Sequence, residues 1–92
     1  MYNAIIVEKN DDVIMVLEEI HAGDKVTYRY GEEDRSVTSA GEVPIYHKIA
    51  VHDIPKGRNI IKYGEKIGIA TEDIRAGEHV HVQNLDSERE DL

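Results

Sequence analysis

The 92-residue chain contains no cysteine, no tryptophan and no phenylalanine, and only two prolines. Without cysteine it has no disulfide and no thiolate metal site, which suits a reducing compartment. No apolar run approaches the roughly 18 residues that cross a membrane, and the first residues lack a basic stretch followed by a long apolar one. We therefore expect neither a signal peptide nor a membrane span, and we expect the protein to be cytoplasmic.

Positive charge is also scarce, because 11 Lys and Arg stand against 19 Asp and Glu and give a net charge of −8. Such a charge disfavours nucleic acid or an anionic membrane as the main partner. The exception is the segment 47–66, which has five basic residues against two acidic ones. This basic segment suits an anion site, and on charge alone it suits a solvated lysine-rich hairpin equally well.

Val and Ile are abundant, with 21 residues together against three Leu, and this favours strands over helices. The phrase apolar-x-x-acidic-Ile-x-x-Gly-x-x-Val/Ile occurs three times, within residues 16–26, 49–60 and 69–80. It is typical of a strand, a tight turn and a second strand, in which Ile enters the core and Gly takes a positive φ. We predict one all-β domain over residues 1–85 that makes the same corner three times, followed by an acidic disordered tail over residues 86–92.

The five histidines are candidate functional residues. His79, His81 and Gln83 alternate with valines, so a strand would place them on one face. Two imidazoles at this spacing can share a metal or bind a carboxylate, although the same alternation is typical of an ordinary exposed strand. His47 opens the basic segment, while the remaining two histidines lie in corner phrases as turn residues. The chain has no P-loop, no dinucleotide fingerprint and no recognisable Ser/His/Asp arrangement.

An ordered set of motifs runs through the second half of the chain: HKIA at 47–50, DIPKG at 53–57, KYG at 62–64, DIRAG at 73–77 and VHVQNL at 80–85. In these motifs the chain resembles the SAF domain of the altronate/galactarate dehydratase family, which also includes the alpha subunit of sulfolactate sulfo-lyase. The resemblance implies a β-clip fold, an all-β architecture of short strands and glycine-centred hairpin corners. Residues 1–46 match the family only in general character.

The resemblance also implies a function. The chain would be the small SAF-domain subunit of a sugar-acid dehydratase, a hydro-lyase of the altronate dehydratase type, inactive alone and paired with a large dehydratase subunit. Such an enzyme removes the proton α to the carboxylate of a hydroxy acid and expels the β-hydroxyl as water. The alternatives are the alpha subunit of a sulfolactate sulfo-lyase and a non-catalytic SAF module that docks a partner protein or a carbohydrate. Association into a homo-oligomer stays open.

Site residues follow from the motifs that match the family. The expected catalytic residues, which exchange protons or hydrogen bonds with the acid, are His47 and His81. The expected substrate-binding residues, with the lysines facing the carboxylate, are Lys48, Lys62, Tyr63 and Asn84.

A divalent metal, often iron, is implied for the complex. The family commonly has His-x-His-Asn where this chain has His81-Val82-Gln83-Asn84, and Gln is a much poorer ligand than His. His81 is therefore only a weak metal candidate, and we expect weak metal binding at most by the isolated domain, with the partner chain holding the metal mainly.

Overall fold

The computed structural model describes residues 2–87, and this part of the chain is all-β and has no helix. Its strands are β1 (Ala4–Ile5), β2 (Val13–Val16), β3 (Lys25–Tyr30), β4 (Glu33–Thr38), β5 (Lys48–Ala50), β6 (Asn59–Lys62), β7 (Glu65–Ala70), β8 (His79–Val80) and β9 (Leu85–Asp86). The all-β prediction is confirmed. Asp86, assigned from the sequence to the tail, pairs in β9, and residues 88–92 of that tail lie outside the described residues. The search for a helix able to cross a membrane finds none in residues 2–87.

The strands form three small antiparallel sheets. The first has the order β1-β2-β5-β8, the second is the β3-β4 hairpin, and the third has the order β6-β7-β9. The β3-β4 pairing runs from Lys25 opposite Thr38 to Tyr30 opposite Glu33. The charged residues Glu33, Asp34 and Arg35 belong to β4, because ladder hydrogen bonds use the backbone and leave these charged side chains in water.

The three predicted corners are present. The corner isoleucines, none more than 1% exposed, are Ile20, Ile54 and Ile74. The corner glycines, with φ values of 89°, 89° and 94°, are Gly23, Gly57 and Gly77. In each corner the glycine N–H donates to a carbonyl distant in the sequence, and the next N–H donates to the carbonyl three residues earlier.

The structure contains a fourth corner that the repeated phrase does not reveal. Residues 42–49 make the same turn, with Val43 fully buried and Tyr46 at a φ of 71° in the glycine position. The Tyr46 N–H donates to the Val16 carbonyl and the His47 N–H donates to the Pro44 carbonyl, as in the other corners. The sequence conceals this corner because Tyr occupies a position where the turn favours Gly.

The four corners form two pairs. Ile20 bridges Val43 in the first corner pair, and Ile54 bridges Ile74 in the second, both in antiparallel fashion. The bridging side chains of each pair pack in a different cluster of buried side chains. Strand β5 joins the two clusters, because Ile49 packs in the first and Ala50 in the second. The strand that follows the fourth corner therefore lies at the centre of the molecule.

Candidate functional site

The pairing of β5 with β8 brings three histidines together. Lys48 lies opposite Val80 and Ile49 lies opposite His79. Continued by one residue, this antiparallel register sets His47 opposite His81. The chain enters β5 from the fourth corner and leaves β8 into the turn 81–84, so all three histidines lie at the same end of one strand pair.

The three imidazole rings of His47, His79 and His81 are in contact, and we call them the histidine triad. His47 Nδ1 lies 2.9 Å from His79 Nε2, a hydrogen bond whose donor depends on the tautomers. The ring centroids are 4.4 Å apart for His47 and His81, 5.1 Å for His47 and His79, and 5.6 Å for His79 and His81. One ring nitrogen of each residue lies within 4.8 Å of the other two.

Asn84 holds the turn that carries two members of the triad. Its side chain is 5% exposed, its Oδ1 accepts from the His81 N–H at 3.0 Å, and its Nδ2 donates to the His79 carbonyl at 2.9 Å. Gln83 Nε2 also donates to the His79 carbonyl, at 3.0 Å. These contacts make Asn84 and Gln83 positioning residues for the turn. Contact of Asn84 with a substrate hydroxyl stays a prediction.

Burial and positive neighbours favour neutral rings in the triad. Burial lowers the pKa of His79 below its ordinary value, and His47, His81 and Lys48 lower it further. The pKa of His81 is lowered by burial, with smaller contributions from His47 and Lys48. Each of these two rings therefore carries one unprotonated nitrogen at neutral pH, and this atom can accept a proton or bind a metal ion.

Lys48 and Lys62 line one open cavity of about 590 Å³, together with Glu65, Lys66, Ile67, Leu85 and Ser87. Burial lowers the pKa of Lys48, and the charge of nearby Lys62 lowers it further. Two close positive charges favour an anion between them, since the anion relieves both the repulsion and the loss of hydration. The structure thus brings both predicted lysines to one cavity, and Lys48 also acts electrostatically on the triad.

The predicted residue Tyr63 lies at the tip of the β6-β7 hairpin, where it is exposed and has a φ of 57°. The Lys62 ammonium lies 4.5 Å from the centroid of its ring. Two buried acidic residues hold this hairpin: Asp11 Oδ1 accepts from the Gly64 N–H at 2.9 Å, and Asp12 Oδ2 accepts from the Ile61 N–H at 2.8 Å. The sequence analysis assigned no role to this acidic pair. Its only signal in the sequence is its position directly before the buried strand β2.

The comparison with protein families agrees with this architecture. The sequence profile of the altronate/galactarate dehydratase SAF domain matches residues 2–88. The chain belongs to this family. The SAF domain is 35% identical over its full length to the altronate dehydratase of Bacillus subtilis (strain 168), of which it covers 18%. It is 40% identical over 89% of its length to the altronate dehydratase of Escherichia coli (strain K12), of which it covers 16%.

A shorter relative matches the SAF domain almost end to end. The alpha subunit of (2R)-sulfolactate sulfo-lyase from Chromohalobacter salexigens is 35% identical over 91% of this chain and 94% of its own length. The chain therefore spans less than a fifth of the two dehydratases and nearly all of the sulfo-lyase subunit.

The histidine triad fits the divalent metal that the family resemblance implies. Imidazole suits Fe, Zn, Ni and Cu ions, whereas Mg²⁺ and Ca²⁺ prefer oxygen ligands. Gln83, which replaces the usual family histidine, donates from Nε2 to the His79 carbonyl. The imidazoles of His47 and His79 lie beside that of His81, so three imidazoles come together without a histidine at position 83.

Proposed function

We propose that this SAF domain is the small subunit of a hydro-lyase of the altronate dehydratase type, and that it closes over and helps bind an anionic hydroxy acid. The observation that carries the proposal is that Lys48 lines one cavity with Lys62 and also acts electrostatically on His79 and His81 of the histidine triad. Membership of the family supports the reaction class. We further propose that the chain is inactive without a large dehydratase subunit, and that the complex works in the cytoplasm as an enzyme of carbohydrate metabolism.

In this proposal the lysines bind the carboxylate of the acid. Lys48 and Lys62 share the cavity, and burial together with the charge of Lys62 lowers the pKa of Lys48, an effect that a bound anion would offset. Tyr63, at the tip of the hairpin that carries Lys62, then lies beside the bound acid and orients a hydroxyl group. The two lysines thus set the position of the α-carbon relative to the imidazoles.

The imidazoles of His47 and His81 exchange the protons of the β-elimination. One nitrogen takes the proton from the α-carbon, the C–O bond of the β-hydroxyl breaks, and a proton transferred to the leaving oxygen releases it as water. The remaining enol tautomerises to a 2-keto acid. A divalent metal, when bound, supplies positive charge to the enolate. That the large subunit mainly holds this metal stays a prediction.

The sulfo-lyase alternative is favoured by one specific observation: the alignment with the alpha subunit of Chromohalobacter salexigens covers 94% of that subunit at 35% identity. In this second candidate function sulfite leaves from sulfolactate where water leaves from a sugar acid. The substrate then carries two negative groups, which the same pair of lysines suits. A non-catalytic docking module is the third reading of the fold.

Reconstitution with a large dehydratase-like chain from the same organism tests the proposal. We expect 2-keto acid to form from altronate or galactarate only when both chains are present. Lys48→Ala and Lys62→Ala should each raise KM roughly tenfold, because each removes one charged contact to the carboxylate. The matched control is Lys25→Ala, at an exposed position of β3, which should leave KM unchanged.

Each outcome of this experiment decides between the candidates. Sulfite release from sulfolactate, without dehydration of the sugar acids, selects the sulfo-lyase function. A complex whose activity does not depend on this chain selects the docking module. Turnover by the isolated chain contradicts the proposal that a large subunit is required.

A further inference from the structure

We propose that His47, His79 and His81 form a three-imidazole binding site for a divalent transition-metal ion within this chain. The inference goes beyond the proposed lyase function, because it concerns this domain alone and holds for any of the three candidate functions. It also departs from the sequence-based expectation of weak binding at most. That expectation followed from Gln83 in the place of the usual family histidine, and nothing in the sequence placed His47 beside the end of β8.

The first argument is distance. The nitrogen donor atoms of the triad lie within 4.8 Å of one another, and the closest pair is 2.9 Å apart. A tetrahedral ion with metal–nitrogen bonds of about 2.0–2.1 Å separates its ligand atoms by about 3.3 Å. The closest pair lies slightly below this value and no pair exceeds 4.8 Å. The rings are stacked, with interplanar angles of 11–29°, so metal binding requires the side chains to rotate until their three nitrogens point to one centre.

The second argument is the support of the ligands. Both histidines on the β8 side are fixed through their backbone groups by Asn84, whose amide contacts the His79 carbonyl and the His81 N–H. Gln83 adds a contact to the same carbonyl. On the other strand, the His47 N–H is bound to the Pro44 carbonyl within the fourth corner. These contacts fix the backbone from which the three rings project.

The third argument is selectivity. The triad contains three imidazoles and no carboxylate, so it suits Zn²⁺, Co²⁺, Fe²⁺, Ni²⁺ or Cu²⁺ and not Mg²⁺ or Ca²⁺. Three protein ligands also leave at least one coordination position open, which is typical of sites that bind water or a further ligand. The positive charge of Lys48 opposes the cation and favours an anion in the open position.

A second cluster serves as an internal control. Glu19, His21 and Glu42 also place ligand atoms within 4.8 Å of one another, but all three side chains are exposed. Exposed acidic groups often lie together without a metal, and neither buried support nor a second imidazole is present there. This cluster should therefore not contribute to transition-metal binding.

The test uses the full chain without an affinity tag, stripped of metal, and titrated with Co²⁺ and Zn²⁺. We expect one equivalent of Co²⁺ to bind and to give the strong visible absorption of a tetrahedral site, and Zn²⁺ to displace it. His79→Ala and His81→Ala should each weaken binding by more than about tenfold. His21→Ala and His52→Ala should leave the stoichiometry and the affinity unchanged, and an excess of Mg²⁺ should not compete.

A readout on the unmodified chain guards against variants that fail to fold. In NMR spectra, Zn²⁺ should shift the imidazole signals of His47, His79 and His81, and leave those of His21 and His52 in place. Absence of stoichiometric Co²⁺ binding overturns the inference, as does an equal loss of binding in His21→Ala. Shifts at His21 with none in the triad overturn it as well. None of these results depends on lyase activity, so the metal site and the proposed function fail separately.

Discussion

The two corner pairs share one backbone geometry and differ in their polar contacts. In the second corner pair, Asp53 accepts from the Ala76 N–H and Asp73 accepts from the Lys56 N–H, both at 2.9 Å. Each aspartate thus caps the turn of the opposite corner. The equivalent residues of the first corner pair are Glu19 and Glu42, whose carboxylates instead lie 4.0 and 3.8 Å from His21 Nε2. The second pair is therefore the more symmetrical of the two.

The irregularities of the first corner pair lie next to the candidate site. Its fourth corner has Tyr46 at a positive φ, and the following residue is His47, a member of the triad. In the other corners the residue at the His47 position is Asp24, Arg58 or Glu78. The same turn is thus used structurally in one pair, while in the other it directs an imidazole to the end of β8. The departure from the repeated motif thus coincides with the candidate site.

The largest expected loss of stability comes from truncating a buried corner isoleucine, and it tests whether both corner pairs contribute equally to the core. Ile20→Ala and Ile54→Ala should each lower the free energy of unfolding by roughly 2–5 kcal/mol, because each side chain is fully buried in a different cluster. Urea denaturation followed by circular dichroism measures both. Ile45→Ala, at an exposed position of the fourth corner, should stay within about 0.5 kcal/mol of the unmodified protein. A large loss in only one pair would show that the molecule does not rest on two equivalent half-cores.

The sequence predicted three of the four corners because Ile and Gly have specific functions in the turn. It predicted the all-β class from the same residues and from the excess of Val and Ile. The fourth corner could not be predicted, because Tyr46 adopts the positive φ at a position where the other three corners have Gly. At the site, the motifs indicated His47, Lys48, Lys62 and His81. Their arrangement with His79 depends on the pairing of β5 with β8, between residues 32 positions apart, and no local pattern reports such a pairing.

Substitutions at the positive-φ position should change the free energy of unfolding in opposite directions in the glycine corners and in the fourth corner. Gly57→Ala should destabilise the protein by roughly 1–2 kcal/mol, because an added Cβ meets no atom within 4 Å and the cost is the left-handed backbone alone. Tyr46→Gly should have the reverse effect, with a gain of less than about 1 kcal/mol, since relief of backbone strain is offset by greater freedom of the unfolded chain. Thermal unfolding measures both changes. Destabilisation by Tyr46→Gly would show that the tyrosine ring itself contributes to the fold.

The smallest expected effect is a pH dependence that originates at the triad. In the unfolded chain His79 and His81 bind a proton near the ordinary histidine pKa of about 6.5. In the folded protein burial, His47 and Lys48 lower the pKa of both, so they bind that proton only at a lower pH. Between these two values the unfolded state holds more protons than the folded state, and acid therefore favours unfolding. The stability that the two neutral rings contribute is fully present above pH 6.5 and is lost as the pH falls below it.

Thermal unfolding in a chelating buffer, from pH 7.5 down to pH 5, measures this dependence. His79→Gln should make the loss of stability with acid shallower, because one group with a lowered pKa is absent. Lys48→Met should act in the same direction, since it removes a charge that lowers the pKa of both histidines. Lys25→Met in β3 is the matched control and should follow the unmodified protein. Parallel curves for all four proteins would contradict the assignment, because the acid sensitivity would then arise outside the triad. A shallower curve for Lys48→Met alone would identify the lysine, and not the imidazoles, as the group that limits stability at this end of β5.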